Sequence, residues 1–158
     1  MKQIIALTAT LLFAGPVFAQ TNINLGGIRA DSGAPVEVAA DNLTVDQSSG
    51  SAVFTGNVVI GQGDLRLSAG TVQVIYSEAT GDIARLLASG GVTFVTATEA
   101  AEAQSAIYDL TTGVMTLTGS VLLTQGASAL SAEKMTVNVN TGSAQMSGRV
   151  RTVFQQGN

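Results

Sequence analysis

The side chains that could do chemistry in this chain are few and poorly placed for catalysis. The sequence contains no histidine and no cysteine, which removes Ser-His and Cys-His nucleophiles and imidazole or thiolate metal ligands. Most acidic residues fall at predicted turns or at outward strand positions, where carboxylates usually cap backbone groups. They are Asp41, Asp46, Asp64, Glu78, Asp82, Asp109 and Glu133.

Paired-carboxylate hydrolysis needs two acids that face each other across a cleft, and no inward position of the predicted strands supplies one. The run Gly61-Gln62-Gly63 resembles a phosphate-binding loop, but no helix follows it, so we predict a hairpin turn there. The sequence therefore predicts no enzymatic activity, no metal and no cofactor.

The charge of the chain also limits its partners. Only 11% of the residues are charged, and the formal net charge is −4. Because binding to a phosphate backbone needs clustered Lys and Arg, nucleic acid is excluded as a partner.

Apolar and polar residues alternate through most of the chain after Pro35, a pattern typical of antiparallel strands with one solvated face. The apolar members of each run should share the inward face of the sheet. The inward positions that we expect to line a groove are Phe54, Val58, Ile60, Leu65, Leu67, Val72, Val74, Tyr76, Leu86, Val92, Phe94, Tyr108, Met115, Leu117, Val121, Leu123, Met135, Val137, Met146, Val150 and Phe154.

A four-fold internal repeat organises these strands. A glycine turn, an alternating strand, a second glycine and another apolar strand recur over 50–60, 81–95, 113–124 and 142–154. The inner glycines Gly56, Gly90, Gly119 and Gly148 follow one another at steps of 34, 29 and 29 residues. Repeats of this length are single supersecondary units that bury their apolar faces only by stacking, so we predict an elongated fold that is open at both ends.

The alternation changes parity at recurring places, such as Asp41-Asn42 and Gly70, and this change indicates a bulge or corner. A corner in each unit predicts an all-β fold of meandering antiparallel strands, an open, elongated β-jellyroll or V-shaped double sheet. Small inward residues would leave room between the two walls, although walls that close into a dry core fit the pattern equally well. These small residues are Ala52, Gly56, Ala88, Gly90, Gly119, Ala144 and Gly148. The segment 98–105 favours helix by propensity, but the repeat register predicts a strand there.

The two termini differ in composition from this β domain. Residues 1–19 read as a secretory signal, with Lys2, an apolar run too short to span a bilayer, and the small-residue cleavage site Val17-Phe18-Ala19. Residues 20–34 lack periodicity and are predicted to be a flexible lead-in. The β domain should then cover 35–154, followed by a short tail over 155–158.

Three segments carry a resemblance to a known family. They are Ala40-Asp41-Asn42-Leu43-Thr44-Val45-Asp46, Phe54-Thr55-Gly56-Asn57-Val58 and Gln62-Gly63-Asp64-Leu65-Arg66-Leu67-Ser68-Ala69. In these the chain closely resembles the OstA-like family of periplasmic lipopolysaccharide-transport bridge proteins, and the repeat extends the similarity from Pro35 to Phe154. The resemblance implies a β-jellyroll that shields the acyl chains of lipopolysaccharide, with the groove positions above as the lipid-binding residues. It also implies docking to related folds of the inner-membrane complex and of the outer-membrane translocon.

The edges of an open sheet are predicted docking sites because unpaired strands there can accept another strand. We expect Val36, Glu37 and Val38 to form one edge, and Arg149 and Arg151 to lie outward on the other. The opposite charges favour head-to-tail self-association, or else only keep each edge soluble. Two other functions stay open, namely a membrane-tethered partner in the same pathway and a structural β-solenoid without a ligand.

Overall fold

A computed structural model describes residues 21–24, 31 and 33–155, and side chains are described from Asp31 onward. Eleven β-strands and their turns make up these residues, with no helix among them. The strands are β1 (Thr21–Asn24), β2 (Glu37–Ala39), β3 (Asn42–Asp46), β4 (Ser51–Gln62), β5 (Leu65–Tyr76), β6 (Ile83–Val95), β7 (Glu99–Asp109), β8 (Val114–Gln125), β9 (Ser128–Asn138), β10 (Ser143–Ser147) and β11 (Arg151–Val153).

The strands form one antiparallel sheet. From β4 to β10 each strand pairs with the next one along the chain. At one edge β2 and β3 both pair with β4; at the other, β1 pairs with β10 and β11 pairs with β9. Each of these two edges is thus built from short strands that cover different halves of a long neighbour. The predicted all-β meander is confirmed.

A line of bulges crosses the sheet near the middle of its long strands. The register shifts between Thr55 and Val58, and comparable shifts follow in every pairing from β4 through β9. On β4 this shift coincides with two consecutive residues of positive φ, Gly56 at 80° and Asn57 at 46°, and Gly119-Ser120 repeats it on β8. Because bulges bend a strand, their alignment makes a crease across the whole sheet.

The crease divides the sheet into two walls that face each other. Wall 1 contains β1, β3, β10 and the strand halves 51–55, 71–76, 83–89, 105–109, 114–118 and 134–138. Wall 2 contains β2, β11 and the halves 58–62, 65–69, 92–95, 99–103, 121–125 and 128–132.

One side-chain hydrogen bond demonstrates how sharply the sheet is folded. Cross-strand pairs align Tyr108 of wall 1 with Ala52 of β4, and Gln62 lies ten positions further along that strand. In a flat sheet those ten residues would span about 33 Å. The Tyr108 hydroxyl nevertheless donates a hydrogen bond of 3.0 Å to Gln62 Oε1, so the two walls meet at this point.

Several sequence expectations are corrected or confirmed by these strands. The segment 98–105 lies in strands and turn, as the repeat register predicted. The prediction of a flexible lead-in is wrong for Thr21–Asn24, which form β1 and pair with β10. This segment shows no clear alternation of apolar and polar residues, so the sequence did not indicate a strand there. The signal segment 1–19 and most of the tail lie outside the described residues. The inner glycines Gly56, Gly90, Gly119 and Gly148 lie on the crease and are not buried, so they do not line the interior.

Candidate functional site: the apolar interior and its open ends

The predicted groove residues form the interior between the two walls. Seventeen of the twenty-one are 4% exposed or less. They are Val58, Ile60, Leu65, Leu67, Val72, Val74, Leu86, Val92, Phe94, Tyr108, Met115, Leu117, Val121, Leu123, Met135, Val137 and Met146. Phe54 is half-buried and packs against the same cluster. Alternation on each strand therefore predicted the inner face well, because directly paired residues of neighbouring strands share a face.

Three of the predicted inward residues are exposed. Tyr76 is 40% exposed because a register shift between Ile75 and Tyr76 changes its side of the sheet. Val150 is 37% exposed in the break between β10 and β11, and Phe154 is 72% exposed beyond the end of β11. Val150 and Phe154 were assigned by extending the repeat beyond β10, where no further long strand covers the inner face.

The interior is packed, with the two walls in contact across it. The backbones of the two walls do not come close to each other except along shared strands. The inward side chains are nevertheless almost fully buried, so those of one wall cover those of the other. Three interior methionines, Met115, Met135 and Met146, are unbranched and can adapt to a changed neighbour. The sequence pattern fitted a closed core and an open trough equally well, and the structure has the closed core.

Inner-face residues lose this cover at both ends of the fold. On β3, Leu43 and Val45 pair with the inward residues Phe54 and Ala52, yet they are 54% and 61% exposed. On β11, Thr152 pairs with the buried Leu130 and is itself exposed. The apolar interior thus continues to the surface through β3 on wall 1, whereas the inward residue of β11 at the end of wall 2 is the polar Thr152. Leu43 and Val45 were missed as edge residues, although their alternation in 42–46 was visible.

The predicted edge residues lie at these same ends. Glu37 is exposed on β2, while Val36 and Val38 are half-buried against the core. Arg149 and Arg151 are exposed at the opposite end, and Arg149 lies 3.6 Å from the Glu133 carboxylate. Glu37 and Arg151 therefore lie at opposite edges of the sheet, with Arg66 close to the first edge and Glu133 paired with Arg149 at the second.

One acidic residue was missed by the sequence analysis. Glu99 is 4% exposed on wall 2, so the expectation that no inward position carries an acid is wrong. Its carboxylate accepts hydrogen bonds from Thr96 Oγ1 at 2.8 Å, Thr98 Oγ1 at 2.5 Å and Gln125 Nε2 at 3.2 Å. These three donors replace the solvent and tie the β6–β7 turn to β8. The signal for this role was the pair of threonines just before the acid.

The interior also contains the polar pair Gln62 and Tyr108, both 4% exposed. Gln62 Oε1 accepts the Tyr108 hydroxyl at 3.0 Å, and Gln62 Nε2 donates to the Ala34 carbonyl at 3.2 Å. Burial raises the pKa of Tyr108, so the phenol stays protonated and able to donate.

Comparison with known proteins places the chain in a family. The family described as LptA/(LptD N-terminal domain) LPS transport protein matches residues 37–143, from β2 to the start of β10. The match takes in more than half of the chain. The chain belongs to this family. It is accordingly a lipopolysaccharide transport component with the LptA-like β-jellyroll, as the resemblance implied.

Two proteins that are similar to this chain illustrate the range of similarity. An uncharacterized protein of Rhizobium meliloti (strain 1021) is 29% identical over 156 residues, covering 92% of this chain and 84% of the relative. The crystal structure of LptH from Pseudomonas aeruginosa, described as the LptA-homologous periplasmic component of the lipopolysaccharide transport device, superposes with a TM-score of 0.72. It shares 20% identity and covers 80% of this chain and 99% of its own, so it shows the common fold.

The described part of the chain holds no helix with the length and apolar character needed to cross a membrane.

Proposed function

We propose that this protein is a periplasmic bridge component that shields the acyl chains of lipopolysaccharide between its two walls. The observation that carries the proposal is the continuous apolar interior from β4 to β10, which reaches the surface through Leu43 and Val45 on β3. A ligand held there would touch side chains of every repeat and would have no single site at which to be trapped.

The energetic need for such shelter is large. Burial is worth about 0.8 kcal/mol per methylene, so an acyl chain of about a dozen carbons costs on the order of 10 kcal/mol to expose to water. Lipid chains therefore need continuous cover during transport. An interior made of Val, Leu, Met and Ala provides it without directional contacts, so the chains can slide.

The packed interior must separate to admit lipid. Contacts between the walls are mainly apolar, and within the described residues the Tyr108–Gln62 pair is the side-chain hydrogen bond that joins them. Dispersion and burial do not distinguish an acyl chain from an opposing Leu or Met side chain. Acyl chains can thus replace wall-to-wall contacts, and the hinge for this motion is the crease of bulges.

The two edges are the proposed docking sites for related β-jellyroll domains on the inner-membrane and outer-membrane sides. Among the described residues, β3 and β11 are short and each pairs with a single strand, which suits the addition of another one. Acidic Glu37 at one edge and basic Arg149 and Arg151 at the other favour head-to-tail order. Docking in that order would also cover the exposed Leu43 and Val45 with the next domain.

Photocrosslinking tests the shielding role. A benzophenone amino acid at Phe54 replaces a half-buried aromatic of the inner face, and a second one at Val150 probes the opposite end. We expect both to capture lipopolysaccharide in cells. The matched control is Leu122, an exposed apolar residue on the outer face of wall 2. Capture at Leu122 equal to that at Phe54 and Val150, or no capture of lipid at Phe54 or at Val150, would contradict the proposal.

A further inference from the structure

The Tyr108–Gln62 pair lies at the mouth of the folded sheet, on the side opposite the crease. Tyr108 precedes the turn between β7 and β8, and Gln62 precedes the turn between β4 and β5. Both turns are exposed at Asp64 and Thr111. Because the crease is the closed side of the V, an amphiphile that enters sideways passes between the turns of the two walls, and these two turns are held together by the Tyr108–Gln62 bond.

The inward side chains around the pair are apolar. Its direct strand neighbours are Leu65, Leu86 and Met115, and Ile60 and Ala106 follow towards the crease. On the side of the turns, Leu110 packs against the same cluster, while Asp64 and Thr111 are exposed. An acyl chain in this part of the interior would therefore meet hydrogen-bonding side chains at Tyr108 and Gln62.

The chemistry of the pair suits a hydrogen-bonding carbonyl group. Gln62 offers a carbonyl acceptor and an amide donor, and Tyr108 offers a hydroxyl donor. In the closed structure these groups satisfy each other and the Ala34 carbonyl. Once the walls separate, the buried hydroxyl and carboxamide need new partners, because an unsatisfied buried polar group is costly.

We propose that Tyr108 and Gln62 form a polar gate that opens for an amphiphile and then hydrogen-bonds the amide group at which its acyl chain begins. This inference rests on the proposed function. It assigns the two residues a role in selecting amide-linked acyl chains over plain alkyl chains, since an alkyl ether lacks the amide donor and the strong carbonyl acceptor. The ligand carbonyl accepts from the Tyr108 hydroxyl and the ligand N–H donates to Gln62 Oε1, so opening leaves neither group unpaired.

The test uses two pyrene-labelled probes of equal chain length, one joined to its headgroup by an amide and one by an ether. For Tyr108→Phe, we expect association of both probes to accelerate by about 2- to 10-fold, because one hydrogen bond no longer holds the mouth. The preference of the protein for the amide probe should fall by a similar factor. Tyr76→Phe is the matched control, since this exposed tyrosine lies outside the gate.

A distance measurement checks that the mouth itself opens. Spin labels on Asp64→Cys and Thr111→Cys report the gap between the two turns, and the chain has no other cysteine. The distance should lengthen when the amide probe binds. An unchanged distance with probe bound, an unchanged association rate in Tyr108→Phe, or a retained amide preference would each overturn the gate. Failure of the wild-type protein to bind either probe would instead count against the proposed function.

Discussion

At the scale of single residues, the crease depends on backbone conformations that side chains resist. Gly119 has φ 85°, and a Cβ at this position would lie 2.5 Å from Gln104 Oε1 and 2.8 Å from Gln104 Cβ. Asp41 lies over Gly56 and Glu133 over Gly148 in the same way. The neighbouring Asn57, Ser120 and Arg149 adopt positive φ without being glycine, so it is the close polar neighbour that requires glycine at the first position.

The prediction that follows concerns Gly119→Ala. Left-handed strain and the clash with Gln104 together should lower the free energy of unfolding by about 2–4 kcal/mol, which urea unfolding would measure. Gly126→Ala is the control: its φ is also positive, at 57°, but nothing lies within 4 Å of the added Cβ. Equal losses in the two variants would show that the crease glycine is required for its φ alone.

At the scale of elements, both ends of the sheet are built from short strands. β2 and β3 share β4 at one end, while β10 and β11 share β9 at the other, with β1 outside β10. Short, twisted edges resist uncontrolled pairing, yet they leave apolar side chains exposed, such as Val45 and Val153. This combination suits regulated docking of another β domain.

The charge difference between the edges gives a prediction for self-association. Glu37→Arg should weaken head-to-tail association, because like charges would then meet Arg151 of the next copy. Sedimentation velocity at low and high salt would measure the effect, which should shrink as salt screens the charges. The double variant Glu37→Arg/Arg151→Glu should recover association. A single variant that associates like the wild type would show that the charges act only on solubility.

At the scale of the whole molecule, the interior is one cluster that extends from β4 to β10. Leu117 and Leu123 on β8 belong to different walls, yet both are fully buried in it. Because each long strand contributes to both walls, the walls cannot slide independently along the strands. They can only open about the crease, which makes widening of the interior a motion of the entire sheet.

Leu117→Ala tests whether this interior accepts acyl chains. The truncation should destabilise the protein by about 2–5 kcal/mol through lost burial and a cavity. An added fatty-acyl amphiphile should recover part of that loss in the variant, because its chain can fill the space left by the side chain. Urea unfolding with and without the amphiphile measures this.

The control is Leu122→Ala on the outer face of the same strand, where amphiphile should change stability no more than in the wild type. Absence of any stabilisation by amphiphile in both the wild type and Leu117→Ala would contradict an acyl-binding interior.

Much of the fold could be predicted from the local alternation of apolar and polar residues. Alternation over 51–76 and 83–95 specified which face of each strand is buried, because side chains alternate strictly along a strand and paired residues share a face. The inner glycines were expected on the inward face, and the structure instead places them on the crease, where glycine supplies the positive φ of a bulge. The strand over 98–105 was predicted against helix propensity, since the repeat supplied the register that propensity lacks.

Long-range geometry decided the rest. The pairing of β1 with β10, the exposure of Tyr76, Val150 and Phe154, and the burial of Glu99 depend on which segments meet from distant parts of the chain. So does the contact between Tyr108 and Gln62, which are 46 residues apart. The sequence by itself determined the faces of the strands through a two-residue period. Only the folding of the sheet onto itself decided that the faces touch, because the angle of a crease is set by packing across it.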